Sequence, residues 1–552
     1  MEQLNKDLPE QVIQEEKKPA VEDFLRKEEA PLLIKIRQKF GVFGGISLVF
    51  GLLFTMLFYE VSIGLNVFAF TIVMVGLLCL ATDKLSVPRK RTTLLYYAGA
   101  ILLGLSTMLT SSGNLQFINV IGILLLLDLS LLHQFYEDGK WDFTRHFMKM
   151  IGLLFLSIAS LGKPFVHGAE FMKQVKVLKN DRVRNIFIGV VISVPLLLVI
   201  LALLSSADIL FGEMTKSLFQ VIFSGDVFGI CFMLAFGILA CYCILCGAVA
   251  RVGKEDSVPG RKVDASIAVT VMLILCFVYV VFCGIQLTYL FANGIFVLPE
   301  EFTFAEYARR GFFELLAVAS INIILMLAEK ALFRESRLVS VLVTIMSLCT
   351  YIMIGSATYR MLLYIGAYHL TFLRVFVLLS LFIIAFVLAG VVITEFKKEF
   401  PLFQYCVVVV TASYLVFSFS KPDHYIAEYL LDHVDTLSYS DMGYLTRELS
   451  LDAAPAVLPV LSDKERWVDE KIDDGEPEGH TGEYNREYAG DYDREYTGNY
   501  DGEYGYMDYG YKESAKAMKE DYYARIRRAA SGREFRDFNY SIFRSGQSVT
   551  MK

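Results

Sequence analysis

The chain reads as an all-α, polytopic transmembrane helical bundle whose C-terminal tail is part helix and part disorder. Three features point there. Hydrophobic residues make up 55% of the 552 residues and charged ones only 20%, with a mean hydropathy of +0.48; soluble domains carry about a quarter charged residues. The apolar residues concentrate between 40 and 419, leaving 1–39 and 420–552 polar. The central runs are continuous, as in Ile121–Leu127, where barrel strands would alternate. The net charge of −7 says little about the middle, because the acids gather in the tails.

A helix needs about 20 apolar residues to cross the hydrocarbon core, where the backbone must satisfy its own hydrogen bonds. Such runs lie near 40–59, 62–82, 93–112, 114–134, 185–206, 227–250, 264–288, 308–330, 338–359, 371–394 and 400–419, giving eleven expected spans. Residues 147–162 form a shorter apolar run ending at Lys163-Pro164. That length suits an interfacial or re-entrant helix; a crossing there would make twelve spans. The first thirty residues are charged and lack the apolar stretch of a cleavable signal, so the first span is expected to direct insertion.

Short loops rich in Lys and Arg stay in the cytoplasm. Lys35, Arg37 and Lys39 precede the first span, and Lys84, Arg89, Lys90 and Arg91 follow the second. Basic groups recur at 251–262, 330–337 and 397–398, while Tyr59–Ser62 and Ser111–Asn114 hold none. This alternation is coherent only if the basic stretch 163–184 is also cytoplasmic, which requires 147–162 not to cross. The expected arrangement has the N-terminus inside and the C-terminal tail outside. All nine cysteines fall in apolar stretches, so no soluble disulfide framework is expected.

Five segments follow: a polar arm over 1–39, the membrane domain over 40–419, short juxtamembrane helices over 420–462, an acidic tyrosine- and glycine-rich stretch over 463–513, and a basic aromatic segment over 514–552. In the juxtamembrane region, Ser420, Pro422 and Asp423 read as a helix start. Met442, Leu445 and Leu449 suit a second helix and DAAPAVLPVL a third segment. Residues 483–511 repeat every eight residues (EYNREYAG, DYDREYTG, NYDGEYGY), with tyrosine as their only large apolar group apart from Met507. Such a stretch cannot bury enough surface to fold alone and is expected to be disordered. It reads as a solvated linker or as a multivalent tract that touches envelope polymers. The final segment interleaves Arg525, Arg533 and Arg536 with Tyr522, Phe535 and Phe538. That pattern fits anionic lipid or a helix docked on 420–462. An outside location argues against nucleic acid.

Ionisable residues within spans are costly and mark candidate sites. Asp128 is the deepest, with His133 five residues on; it is either a hydrogen-bonded structural group or a proton carrier. Glu314, Arg360 and Arg374 gather toward the outer side, with Asn322 two turns beyond Glu314. They read as a salt bridge with snorkelling arginines, or as an anion-accepting mouth, since Arg suits carboxylate and phosphate. His424, Glu428 and Asp432 recur every four residues on one helix face, a weak metal pattern that equally suits the wet side of an amphipathic helix. No phosphate loop, HExxH or GxSxG motif occurs, and no catalytic residue or cofactor is expected. Gly41/Gly45 and Gly225/Gly229 are candidate helix-contact pairs.

Several segments are similar to a family of bacterial multi-pass membrane proteins known only as a domain of unknown function: LLSSADILF at 203–211, EYARRGFFELLAV at 306–318, SATYRMLLYIGAYHLTFLRV at 356–375, and KPDHYIAEYLL with LSLDAAPAVLPVL. The closing REFRDFNYSIFR resembles the family's ending. The resemblance implies a bacterial cytoplasmic membrane and brings no activity. The expected role is non-enzymatic anchoring, sensing or interaction at the cell envelope. The alternatives are a transporter or channel built on Asp128 and the Glu314/Arg360/Arg374 group, and a membrane-embedded enzyme.

Overall fold

The computed structural model describes residues 30–174, 225–253, 262–291, 311–461 and 515–550, apart from a few single positions, plus isolated positions between 189 and 204. The arm up to residue 29, nearly all of the expected span 185–206, and the repeat 483–511 lie outside the described residues.

The described part is helical throughout, with one isolated bridge between Val263 and Phe333. A short α1 (Pro31–Gln38) leads into α2 (Phe40–Phe58), α3 (Leu65–Leu85), α4 (Thr93–Leu109) and α5 (Gly113–Phe135). Helices α6 (Phe143–Ala159) and α7 (Lys163–Gln174) form a bent pair. There follow α8 (Gly225–Val249), α9 (Ala265–Phe291), α10 (Phe312–Leu332), α11 (Arg337–Tyr368), α12 (Phe372–Phe396) and α13 (Leu402–Phe419). The tail adds α14 (Pro422–His433), α15 (Tyr439–Gly443), α16 (Ala454–Val460), α17 (Ala515–Ser531) and α18 (Tyr540–Thr550).

Among the described residues nine helices are long and apolar enough to cross a membrane: α2, α3, α5 and α8 to α13. The chain is a multi-pass membrane protein. At 17 residues α4 is shorter than these. Helix α11 runs to 32 residues where the sequence suggested a span ending near 359. At 1.5 Å per residue it is roughly 48 Å long, so it outreaches the hydrocarbon, and Leu370, Phe372 and Val375 just after it pack on the tail.

Two apolar cores fill the bundle. One gathers α1 to α5 with α8, and the other α9 to α12; α13 contributes Tyr414 and Phe417 to the first and Leu402 and Cys406 to the second. Helices α2 and α8 touch backbone to backbone. A Cβ on Gly51 would stand 2.7 Å from Ile238, and one on Gly237 would stand 2.9 Å from the Gly51 Cα. Small residues let membrane helices approach this closely. Of the glycine pairs picked from spacing, Gly229 does lie on this helix contact, where a Cβ would stand 2.7 Å from the Tyr59 ring at the end of α2. Gly41 instead meets Phe171, and Gly45 faces open space.

The two ends of the bundle differ. On one face Lys39 donates to the Lys84 carbonyl at 2.8 Å, Arg37 pairs with Glu170, and Lys330 donates to the Thr394 carbonyl at 2.9 Å. This is the basic face. The tail packs on the other face, where the Leu65 amide donates to the Phe538 carbonyl at 2.8 Å. Residue 30 and the described C-terminal helices therefore sit at opposite ends of the bundle.

The bent pair starts and ends at the basic face. At its start Phe143 and His146 pack on Phe403, which opens α13. At its far end Glu170 reaches Arg37. Between them Ser157 abuts Gly247, two residues from the end of α8. The helices meet at 51°. A crossing helix would carry its far end to the tail face, so the contacts agree with a non-spanning reading of 147–162.

Candidate functional site

The tail folds as a helical cap. Residues from α14 to α16 share one core with Met518, Tyr522 and Ile526 of α17 and Ile542 of α18. Pro422 opens α14, as the sequence suggested, because proline at the first turn loses no helical hydrogen bond. The residue before it is Lys421, in the left-handed region at φ 54°, and its side chain makes no cap. Asp423 instead accepts from the Ser450 amide at 3.3 Å, tying the first cap helix to the third.

A buried polar latch fixes this cap on the bundle. The Asp452 carboxylate is 2% exposed. It accepts from the Ser111 amide and hydroxyl, both at 2.9 Å, and from the Thr110 hydroxyl. Thr110 and Ser111 form the tight turn between α4 and α5. Asn539, just ahead of α18, donates to the Thr110 carbonyl at 2.6 Å, and Ser545 donates to the Leu451 carbonyl at 3.1 Å. Burial pushes the Asp423 carboxyl up, against hydrogen bonds from Ser450 and Ser112. Burial lowers Lys421, which the Asp452 charge partly offsets. Below the latch, Ser418 of α13 bonds Ser106 at 2.7 Å and Asn119 at 3.0 Å.

The arginines of the last segment hold the chain's own carbonyls. Arg525 donates to Thr446 at 2.6 Å, Arg533 to Asp537 at 2.6 Å, and Arg536 to Met56 at 2.7 Å. Of the two readings of this segment, the docked helix is the one the contacts realise. Arg527 and Arg544 remain exposed.

The residues singled out inside the bundle fall into separate places. Asp128 lies in α5, and its Oδ2 is buried without a hydrogen-bond partner among the described residues. Its expected neighbour His133 bonds Asp138 instead. Asn322 is fully buried, accepting from the Tyr279 hydroxyl at 2.8 Å and donating to Thr350 at 2.9 Å. Nearer the cap, Gln286 accepts from Ser356 at 2.8 Å and from Arg360 at 3.2 Å. These groups form a buried polar column between α9, α10 and α11. Arg360 packs against Gly311, whose φ of +104° only glycine adopts easily. Glu314 is exposed at the start of α10, so the described contact of Arg360 is to an amide rather than to this carboxylate. Arg374 caps the end of α11 by donating to the Tyr368 and His369 carbonyls, and it stacks 4.2 Å over the Tyr364 ring. The outer Glu–Arg group expected from spacing is thus two arginine sites with different partners.

His424, Glu428 and Asp432 share a face of α14 but do not converge; among the described residues no group of three His, Cys, Asp or Glu side chains could hold a metal. His424 is half-buried, and the two acids are exposed. All nine cysteines are free.

A second buried cluster, missed in the sequence, lies at the basic face. The Asp138 carboxylate accepts from His133 Nδ1 at 2.7 Å and lies 3.6 Å from His146 Nε2 and 3.9 Å from Lys90. Burial alone would raise its pKa, but the His133 hydrogen bond, the nearby His146 ring and the Lys90 charge win and hold it well below the usual carboxylate range. The signal was present: a helix ending at Phe135 followed by EDGKWD, a loop able to turn an acid back onto the helix.

A family model described as "Domain of unknown function (DUF4153)" matches residues 97–459, from α4 through the first three cap helices. No curated protein and no solved structure matches.

Proposed function

From the premise that the chain belongs to the DUF4153 family, we propose that it is a membrane-anchored presentation scaffold of the cell envelope, in which the bundle anchors and the cap holds the tyrosine-rich tract for a partner. One observation carries this reading. Leu461 and Met518, the residues that bracket the tract, are buried in one cap core at 2% exposure each. The described residues on either side of the tract thereby belong to one cap core, which Asp452 ties to the bundle. The positive-inside rule places the basic face in the cytoplasm and the cap outside.

Pull-down from envelope extracts with the full chain and with a deletion of 483–511 tests the proposal. The deletion should insert and fold normally yet lose partners, and identical partner sets would end it. Protease added to intact cells should cut the tract; full protection would put the cap inside.

The polar column between α9 and α11 favours transport as a second reading, because an ionisable group such as Arg360 buried in a membrane bundle is a mark of solute pathways. Reconstituted vesicles carrying Asn322→Ala or Asp128→Asn should then lose a flux that the unmodified protein supports.

A further inference from the structure

At the basic face a hollow of 290 Å³ opens between α5, α6 and the end of α8. Arg145, Lys149 and Arg251 line it, over a floor that includes Leu132, Leu153 and Leu156. We propose that this hollow binds the headgroup of an anionic phospholipid, with its phosphate between Arg145 and Arg251 and its acyl chains along the outer side of α6.

The shape of α6 supports this occupant. Residues 145, 149, 152 and 156 recur at helical spacing and present the cations and the hollow's wall on one side. Phe147, Leu154, Phe155 and Ile158 are between 45% and 68% exposed on another side, with Leu153 and Ser157 buried against the bundle. A helix with basic and bare apolar sides that does not cross the bilayer lies in its interface, with the apolar side among the acyl chains. Tyr136 lines the hollow and packs on Trp141, with ring centroids 5.8 Å apart, and Arg145 sits 5.4 Å over the tryptophan. Trp and Tyr collect at headgroup depth. A soluble anion would meet the same cations but would leave the apolar side of α6 uncovered, which is why a lipid is the assigned ligand.

The test uses the full chain in a zwitterionic detergent, titrated with phosphatidylglycerol, with phosphatidylcholine of the same chains, and with inorganic phosphate, followed by native mass spectrometry. Phosphatidylglycerol should bind at least tenfold tighter than phosphatidylcholine. Removing one cation near an anionic headgroup weakens binding about fivefold. The pair Arg145→Gln and Arg251→Gln should therefore bring phosphatidylglycerol close to phosphatidylcholine, while Arg145→Lys with Arg251→Lys keeps most of the preference. Gly152→Glu supplies an independent variant. A Cβ there meets nothing within 4 Å, so a carboxylate enters the hollow without disturbing the fold and should repel the headgroup. The pair Arg337→Gln and Lys397→Gln, on the same face but outside the hollow, should bind like the unmodified chain. Equal affinity for the two lipids overturns the proposal. So does a control pair that loses as much as the hollow pair, or inorganic phosphate that displaces phosphatidylglycerol at equal concentration.

Discussion

Replacing Asp452 by alanine is the most direct perturbation of the cap. The change strands the Thr110 hydroxyl, the Ser111 amide and the Ser111 hydroxyl, all of which now donate to one carboxylate. An unsatisfied buried donor costs about 1–3 kcal/mol. Ser111 is only half-buried and water can reach it, so about 1 kcal/mol per donor is appropriate, or about 3 kcal/mol in total. At 1.4 kcal/mol per factor of ten, cap opening should become about a hundredfold more frequent. Limited trypsin digestion of the purified chain reads this, because cleavage after Arg527 and Arg528 in α17 requires the cap to open, and its rate tracks the open population when reclosing is fast. Asp452→Asn keeps one acceptor and should fall between the two. A cleavage rate for Asp452→Ala within threefold of the unmodified chain would refute the latch.

The other expectations are independent. Gly64→Ala places a Cβ 2.5 Å from the Asp537 carbonyl oxygen; neither backbone yields easily, so trypsin sensitivity of the cap should rise about tenfold through overpacking of about 1–2 kcal/mol. Asp138 has its folded pKa depressed, so its contribution is present above the unfolded value near 3.9 and is lost as pH falls toward the folded one. Asp138→Asn should therefore lower the melting temperature at pH 7, and the gap should close between about pH 4 and pH 2; a pH-independent gap would contradict the assignment. Asn322→Ala leaves the Tyr279 hydroxyl without its acceptor and should cost about 1–3 kcal/mol in thermal stability, with Asn322→Gln costing no less because the longer amide cannot hold both partners. Arg374→Gln removes the cap on the Tyr368 and His369 carbonyls, and hydrogen exchange should quicken in the last turn of α11 while its middle stays protected.

The membrane class and most of the spans were legible in the residues alone. Continuous apolar runs of about 20 residues have one stable solution in hydrocarbon, a helix that satisfies its own backbone. The charge pattern of the loops pointed to a non-spanning α6, and its contacts at Phe403 and Gly247 agree. Family membership was legible as well, through motifs that the match over 97–459 includes.

Pairings were not legible. His133 stands five residues after Asp128, but five residues turn a helix by about 140°, so the two point apart; the histidine meets Asp138 only because the chain folds back after Phe135. Arg360 reaches Gln286 rather than Glu314 because packing fixes how α9, α10 and α11 are rotated about their axes, and hydropathy constrains rotation weakly when most sides are apolar. The cap depends on contacts between residues 342 apart, Thr110 and Asp452, which no local pattern can encode. Local spacing therefore set which segments enter the membrane, since burial in lipid is a property of each helix alone. Tertiary packing set which polar groups meet, since a hydrogen bond is a property of two surfaces brought to about 3 Å.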